Sequence, residues 1–323
     1  MAETLAPSCP STPADRSDGL STRFCMYPPL QAPPLSFWDP RVRLLNQWKT
    51  VTLGEVGENG PTMKKVYGTP VAKGMSVDFL RKLRDDAMKQ GKAAKYIDLS
   101  VLLQGHTKES IPDAAVLVLR VDEFMNDPDG ETKLNEEVSK MPIDKKRLDT
   151  YSGKVVPSTS RYNNTMDDCG IAPDIATGQG TTVNFKDYPT VDKLRRLVAD
   201  SLGVPKLVAE LNVYPDSAKS GITWHGDRER KLVVGGRFGK GANGAPLRYQ
   251  WYKKDAPIGK EGVICLKSGD LYFMSEKAVG FDCKNHSILT LRHAAGKDTY
   301  KDLGTKRKVD EDGAIHPSAI IML

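Results

Sequence analysis

A series of short, β-rich runs in the C-terminal half of this 323-residue chain constrains its fold more than any other feature. Turn sequences such as PDSAKSG, KGANGAP and KSGD separate the runs. Six or more short strands divided in this way are typical of a sandwich or a barrel. The runs are LVAELNVY, GITWHGD, KLVVGGRFG, LRYQWYK, GVICLKSGDLYFMS and HSILTLRHA. The sequence therefore predicts an α+β protein that is mainly β.

Helical patterns occur before these runs and at their start. Ser76 has the side chain of an N-cap, apolar residues follow it at helical spacing, and Gly91 ends the pattern. A second helix is predicted from about 190 to 202, with Thr190 as its cap and Gly203 after its last turn. Between the two helices, AAVLVLRV at 114–121 predicts a buried strand.

The chain divides into a central domain and two polar ends. Residues 1–36 are rich in proline, serine and threonine and predict a flexible tail. The region 37–300 predicts one domain, with core strands over 185–297, and the charged segment 301–323 predicts a second tail. No apolar run approaches the roughly 20 residues that a membrane-spanning helix needs, so no membrane partner is expected.

Cysteine content and charge indicate the compartment and permit one class of partner. The five cysteines are widely spaced and form no C-x-x-C pair, which argues against a disulfide framework or a zinc cluster. We therefore expect a reducing, intracellular location, in the cytoplasm or the nucleus. The net charge of +6 permits nucleic-acid contact, although many enzymes share it. The sequence gives no oligomeric state.

The pair His225 and Asp227 is the first candidate for a metal site. Both residues lie at the end of a predicted strand, and residues two apart in a strand point the same way. Non-haem iron oxygenases hold Fe(II) by two histidines and one carboxylate and keep other positions open. A third ligand would come from a distant strand. Because His316 lies in the C-terminal tail, the alternatives are His286 and His293.

A cosubstrate carboxylate bound to such a metal also needs a fixed cation. Arg292 ends an apolar-alternating strand beside His293, and an arginine fork suits a carboxylate. Asn212 and Tyr214 share one face of the strand that leads to His225. In a regular strand Arg292 and His293 face opposite sides, so both roles require the strand to end or bulge there.

Several segments, in the right order, resemble one enzyme family. AELNVYPDSAKSGITWHGD resembles the L-N-x-Y, turn and H-x-D segment of AlkB-like, 2-oxoglutarate-dependent Fe(II) dioxygenases. SGDLYFMSEKAVG resembles the later Gly-Asp strand of that family, and SILTLRHAAG resembles its closing strand. The resemblance covers roughly residues 185–297 and is closest to divergent AlkB-like proteins of algae and large algal viruses. It implies a double-stranded β-helix (jelly roll, cupin-like) with flanking helices.

The resemblance also implies cofactors and residue roles. The cofactors are Fe(II), with 2-oxoglutarate and O2 as cosubstrates. His225 and Asp227 match metal ligands, and 2-oxoglutarate would be held by residues at the positions of Asn212, Tyr214 and Arg292.

One departure concerns the third metal ligand. The family places its second metal histidine soon after the Gly-Asp strand, where this chain has EKAVGFDCKN and no histidine. His293 stands in RHAAG, which resembles the metal histidine segment of the prolyl-hydroxylase branch of the same superfamily. We favour His293 over His286 as the third ligand.

The predicted function follows from the resemblance. We expect an oxidoreductase, an Fe(II)/2-oxoglutarate-dependent dioxygenase that hydroxylates or oxidatively demethylates its substrate. Alkylated nucleic acid is the substrate that AlkB-like DNA repair demethylases imply. Two alternatives remain open: a protein or small-molecule hydroxylase of the same fold, and a non-catalytic β-sandwich binding module with a degenerate metal site.

Overall fold

The computed structural model describes residues 46–58, 66–296 and 320–322 of the chain. The predicted tail over residues 1–36 lies outside the described residues. So does the predicted tail over 301–323, apart from the short strand at its end.

The described residues form strands and short helices in a mixed α+β arrangement that is mainly β. The strands are β1 (Trp48–Gly54), β2 (Val56–Glu58), β3 (Val66–Gly68), β4 (Ala94–Asp98), β5 (Ala115–Arg120), β6 (Lys146–Asp149), β7 (Lys154–Pro157), β8 (Tyr162–Asp167), β9 (Thr182–Asn184), β10 (Val208–Tyr214), β11 (Gly221–His225), β12 (Val233–Phe238), β13 (Leu247–Lys253), β14 (Ala256–Ile264), β15 (Asp270–Met274), β16 (Thr290–Gly296) and β17 (Ile320–Met322). The α-helices are α1 (Val77–Lys89), α2 (Val121–Met125), α3 (Gly130–Lys140), α4 (Pro189–Leu202) and α5 (Glu276–Val279).

Two sheets dominate the fold. The larger sheet has eight strands in the spatial order β4-β5-β15-β12-β1-β10-β8-β9, and the smaller has five in the order β11-β16-β13-β14-β17. Two further hairpins, β2-β3 and β6-β7, stand outside these sheets. The six β-rich runs of the sequence all form strands, so the prediction of a mainly β protein is confirmed.

Side-chain alternation on the large sheet separates the core from a polar face. On β10, Leu211 and Val213 enter the hydrophobic cluster that also contains the buried stripes of α1, α3 and α4. Glu210 and Asn212, which alternate with them along the strand, line a pocket on the opposite face. A second apolar cluster, which includes Trp251, joins residues of both sheets. Successive residues of one strand therefore serve the core and the pocket in turn.

The large sheet draws on much more of the chain than the predicted core of 185–297. Its central strand β1 pairs with β10 on one side and with β12 on the other, although about 150 residues separate β1 from β10 in sequence. β4, β5, β8 and β9 also come from before residue 185. No local pattern in WKTVTLG predicts the position of β1, because its pairing partners are distant in sequence.

The predicted helices exist, and one cap differs from its prediction. Ser76 caps α1 as expected, since its Oγ accepts a hydrogen bond from the Phe79 N–H at 3.1 Å. The prediction that Thr190 caps α4 is wrong, because Pro189 begins that helix one residue earlier. The Glu137 carboxylate instead accepts hydrogen bonds from the backbone N–H of Thr190 and of the next residue, at 2.9 to 3.0 Å.

This contact makes a prediction about stability. We expect Glu137→Ala to lower the free energy of unfolding by about 1 kcal/mol, because it leaves helix N–H groups without an acceptor and removes a negative charge from the helix N-terminus. Glu136→Ala, at an exposed position of the same helix, is the matched control. Chemical denaturation measures both variants, and an equal effect of the two would contradict the capping role.

No helix among the described residues is both long enough and apolar enough to cross a membrane.

Candidate metal centre

The pairing of β11 with β16 brings three distant side chains together. His225 at the end of β11 is the cross-strand partner of His293, and their rings lie 4.3 Å apart between centroids. The Oδ1 atom of Asp227 lies 3.5 Å from Nε2 of His225 and 3.7 Å from Nε2 of His293. One ligand atom from each of the three residues falls within 4.8 Å of the others, so the group can hold a metal ion.

An irregularity in β11 makes this arrangement possible. The register of β11 against β16 shifts between Ile222 and His225. An extra residue in one strand turns the side chains that follow it. The bulge therefore lies in β11, whereas the sequence analysis required an interruption near Arg292. β16 runs in regular register with β13 through Arg292 and His293.

Neighbouring groups orient the first two side chains. Nδ1 of His225 lies 2.7 Å from the carbonyl oxygen of Thr223, which favours an N–H at Nδ1 and leaves Nε2 free to bind a metal. The Asp227 backbone N–H donates to the Val279 carbonyl at 3.0 Å. Oδ2 of Asp227 faces Nε of Arg230 at 3.5 Å, so Oδ1 is left to point at the histidines.

Burial determines the charge state of the third side chain. Only 8% of the His293 side chain is exposed. Burial holds the pKa of His293 well below its usual value, the nearby His225 lowers it further, and the Ala278 carbonyl opposes this shift only in part. His293 is therefore neutral at neutral pH, which is the form that binds metal ions.

His286, the alternative third ligand, lies elsewhere. Its side chain is 58% exposed, and its Nδ1 pairs with Asp255 at 2.8 Å. The same carboxylate pairs with Arg292. The structure therefore brings His293, and not His286, to the pair His225 and Asp227.

Arg292 does not share the face of β16 that carries the triad. Its guanidinium pairs with Asp255, donates to the Cys283 carbonyl at 3.3 Å and stacks 4.2 Å from the Tyr252 ring centroid. It touches the wall of the pocket, but His293 and Ala295 are the β16 residues on the inner face. The predicted cosubstrate role of Arg292 required β16 to end or bulge beside His293, and β16 is regular there.

The triad opens into a polar pocket of about 420 Å³, a size that suits a small molecule. Asn212 and Tyr214 line its floor, as the shared face of their strand predicted. The Asn212 side-chain oxygen accepts a hydrogen bond from Arg161 at 3.0 Å. Tyr214 stacks on Trp48 with 3.6 Å between ring centroids.

An ionic cluster lies on one side of the triad. Arg230 is almost fully buried, and it pairs with Glu210 at 2.5 Å and with Glu229 at 2.8 Å. Burial alone would lower the pKa of Arg230, but Glu210, Asp227 and Glu229 raise it well above its usual value. Burial, together with Glu229 and Glu210, raises the pKa of Glu58 to about 7. This side of the pocket thus carries an excess of carboxylates.

Gly226 connects the two local ligands and has no space for a side chain. A Cβ atom at this position would lie 2.2 Å from the Gly280 carbonyl oxygen and 2.8 Å from Cβ of Cys283. The strand end is therefore pressed against the turn after α5. This contact fixes the backbone from which both His225 and Asp227 project.

Sequence reasoning missed two pocket residues. Glu58 came from a segment with no recognised motif, and Arg237 stands in the strand run KLVVGGRFG. One signal for Arg237 was present: it is a charged residue within a run that otherwise reads as a buried strand. A buried charge of this kind requires a partner or a ligand.

The three side chains can hold a metal ion with two histidines and one carboxylate, and comparison with known proteins adds a family. The chain is 34% identical over 251 residues to a protein of Acanthamoeba polyphaga mimivirus named "Uncharacterized protein R156". This similarity covers 78% of the chain and 96% of the viral protein, and the chain therefore belongs to the same family as that protein. No protein-family model matches the sequence, and no solved structure matches it.

Proposed function

We propose that this protein is an Fe(II)- and 2-oxoglutarate-dependent dioxygenase of the AlkB-like group. The observation that carries the proposal is the grouping of His225, Asp227 and His293 at the wall of a polar pocket. Two histidines and one carboxylate that leave positions open are the ligand set of non-haem Fe(II) oxygenases.

The strand order supports a double-stranded β-helix. From β10 to β16, strands fall in turn into the large, small, large, small, small, large and small sheets. A jelly roll, which has eight strands in two facing sheets, distributes its first seven strands in this way. Its eighth strand lies between the first and the third. Here β1 fills that position, between β10 and β12, so we propose a permuted jelly roll.

The residues present fit a bound Fe(II) ion. His293 is neutral, His225 has its Nε2 free, and Asp227 presents Oδ1 to both rings. Fe(II) with 2-oxoglutarate supplies the oxidation: O2 and 2-oxoglutarate give succinate and CO2, and one oxygen atom enters a C–H bond of the substrate. Arg230 holds the second oxygen of Asp227 and so maintains the carboxylate's orientation.

The substrate enters from the open side of the same pocket. We propose alkylated nucleic acid as the first substrate to test, since the net charge of +6 permits contact with polyanions and the group includes N-demethylases. Hydroxylation of an N-methyl group releases formaldehyde, whereas hydroxylation of a protein or metabolite carbon does not. A base in a duplex would first have to leave its stack to reach the pocket.

The alternative of a non-catalytic binding module has less support than the dioxygenase. It was motivated by the absence of a histidine after SEKAVG. The sheet supplies a histidine from β16 instead, and the three ligand atoms converge. A degenerate site would not require this convergence.

Succinate production tests the proposed function. Protein purified without metal and reconstituted with Fe(II) is expected to convert 2-oxoglutarate to succinate only in the presence of O2, and an alkylated oligonucleotide is expected to raise this rate and release formaldehyde. Asp227→Ala is the inactive control. If a peptide or metabolite pool stimulates succinate release and the oligonucleotide does not, the nucleic-acid substrate is wrong. Absence of succinate under all conditions would contradict the dioxygenase.

A further inference from the structure

Arg237 on β12 is a buried guanidinium with few partners. Only 1% of the residue is exposed. Its Nη1 donates one hydrogen bond of 2.9 Å to the Ala245 carbonyl, and its Nε has no hydrogen-bond partner. The guanidinium lies 4.2 Å from the Trp48 ring centroid. Within the described parts of the chain, no carboxylate forms an ion pair with it.

Such an arrangement is costly in the protein alone. A buried charge without a partner loses its hydration and gains little in return. Burial lowers the pKa of Arg237, and the neighbouring hydroxyl of Tyr272 offsets this only in part. The other buried arginines of the described chain form ion pairs: Arg230 and Arg248 each face a glutamate. A negatively charged ligand would supply what Arg237 lacks.

The sheet register directs Arg237 into the pocket of the metal centre. Thr50 on β1 pairs with Asn212 of β10 on one side and with Arg237 of β12 on the other. Residues directly opposite each other on adjacent strands share one face of the sheet. All three residues line the pocket that also contains the triad. Arg237 therefore lies on the same floor as the residues expected to contact a cosubstrate.

The contrast with Arg292 strengthens this assignment. Arg292 already has a carboxylate partner in Asp255, and it projects from the face of β16 opposite to His293. The position between β10 and β12, where a closing strand would lie in a jelly roll, is filled by β1, and β1 carries threonines and no arginine. The neighbouring strand β12 supplies the guanidinium.

We propose that Arg237 binds the carboxylate of 2-oxoglutarate that is remote from the metal, beside Tyr214 on the pocket floor. The proposal rests on the proposed function, and it replaces Arg292 as the cosubstrate's cation. The arginine fork donates two parallel hydrogen bonds to a carboxylate, and the Nε atom, which has no hydrogen-bond partner here, is one of its donors.

Calorimetry with Mn(II)-loaded protein tests the proposal without turnover. The titrant is 2-oxoglutarate, and the variants are Arg237→Met, Arg237→Lys and Arg292→Met. We expect Arg237→Met to weaken 2-oxoglutarate binding at least about 30-fold, the range for loss of one partner from a buried ion pair. Mn(II) affinity should be unchanged in this variant. Arg292→Met should bind 2-oxoglutarate as the wild type does.

Thermal unfolding separates a binding role from a structural one. Because methionine removes an unpaired buried charge and keeps much of the side-chain volume, the Tm of ligand-free Arg237→Met should equal or exceed that of the wild type. Arg237→Lys keeps the charge and loses the fork, so it should weaken 2-oxoglutarate binding. This variant provides a second test if Arg237→Met fails to fold.

The outcomes distinguish the two proposals. Wild-type affinity for 2-oxoglutarate in both Arg237 variants, or a loss found only in Arg292→Met, would overturn the role of Arg237 alone. If the Mn(II)-loaded wild type binds no 2-oxoglutarate, the dioxygenase assignment fails, and the ligand assigned to Arg237 fails with it.

Discussion

His293→Ala is expected to weaken metal binding at least about 100-fold and to abolish the proposed oxygenase activity. The reason is geometric: His293 supplies one of three ligand atoms, and its buried, neutral imidazole is already directed at Asp227 and His225. Mutation of a residue that only orients a ligand lowers metal affinity roughly 10- to 100-fold, and loss of a direct ligand should lower it more. Titration with Mn(II), followed by electron paramagnetic resonance, measures the affinity directly.

His286→Ala is the matched control for this experiment. His286 is exposed and pairs with Asp255, so its removal should leave Mn(II) affinity within about twofold, as expected for a surface ion pair. Both variants replace a histidine of the same C-terminal region, and the comparison therefore isolates the position of the ligand. Wild-type affinity in His293→Ala, with loss in His286→Ala, would reverse the assignment of the third ligand.

Gly226→Ala is expected to destabilise the protein by about 3 kcal/mol, at the upper end of overpacking effects, and to disrupt the metal centre. The added methyl group would lie 2.2 Å from the Gly280 carbonyl oxygen, which is a backbone atom in a tight turn. Relief requires the segment between His225 and Asp227 to move. Denaturant unfolding of the metal-free protein gives the stability, and Mn(II) titration gives the affinity.

Gly170→Ala is the control for the glycine substitution. A Cβ atom there would meet its nearest neighbour at 3.6 Å, which is an ordinary contact. We expect no loss of Mn(II) affinity and a change in stability of less than about 0.5 kcal/mol, the usual range for surface substitutions. Equal behaviour of the two variants would show that the close approach of Gly226 to Gly280 has no functional consequence.

The sequence predicted those parts of the fold and site that depend on local patterns. Short β-rich runs separated by turn sequences identified the strands from β10 to β16, and cap residues identified α1. The pair His225 and Asp227 could be recognised because both ligands come from one strand end. His293 required a distant pairing. The few histidines after His225 left His286 and His293 as alternatives, and the resemblance of RHAAG favoured His293.

Other features depend on contacts that no local pattern records. The central position of β1 follows from its pairing with β10 and β12, far away in sequence. The cap of α4 comes from Glu137 on another helix. The opposite orientations of Arg292 and His293 follow from the regular register of β16. The motif resemblance assigned the cosubstrate's cation to Arg292, but the ion-pair partner of Arg292 is Asp255.

The most direct test of the central claim is an anaerobic titration of the metal-free protein with Fe(II) and 2-oxoglutarate, followed by visible absorption. Chelation of Fe(II) by 2-oxoglutarate produces a metal-to-ligand charge-transfer band. The band should appear in the wild type only when both components are present, and it should be absent from Asp227→Ala. Its absence from wild-type protein that binds Fe(II) would contradict the 2-oxoglutarate-dependent dioxygenase.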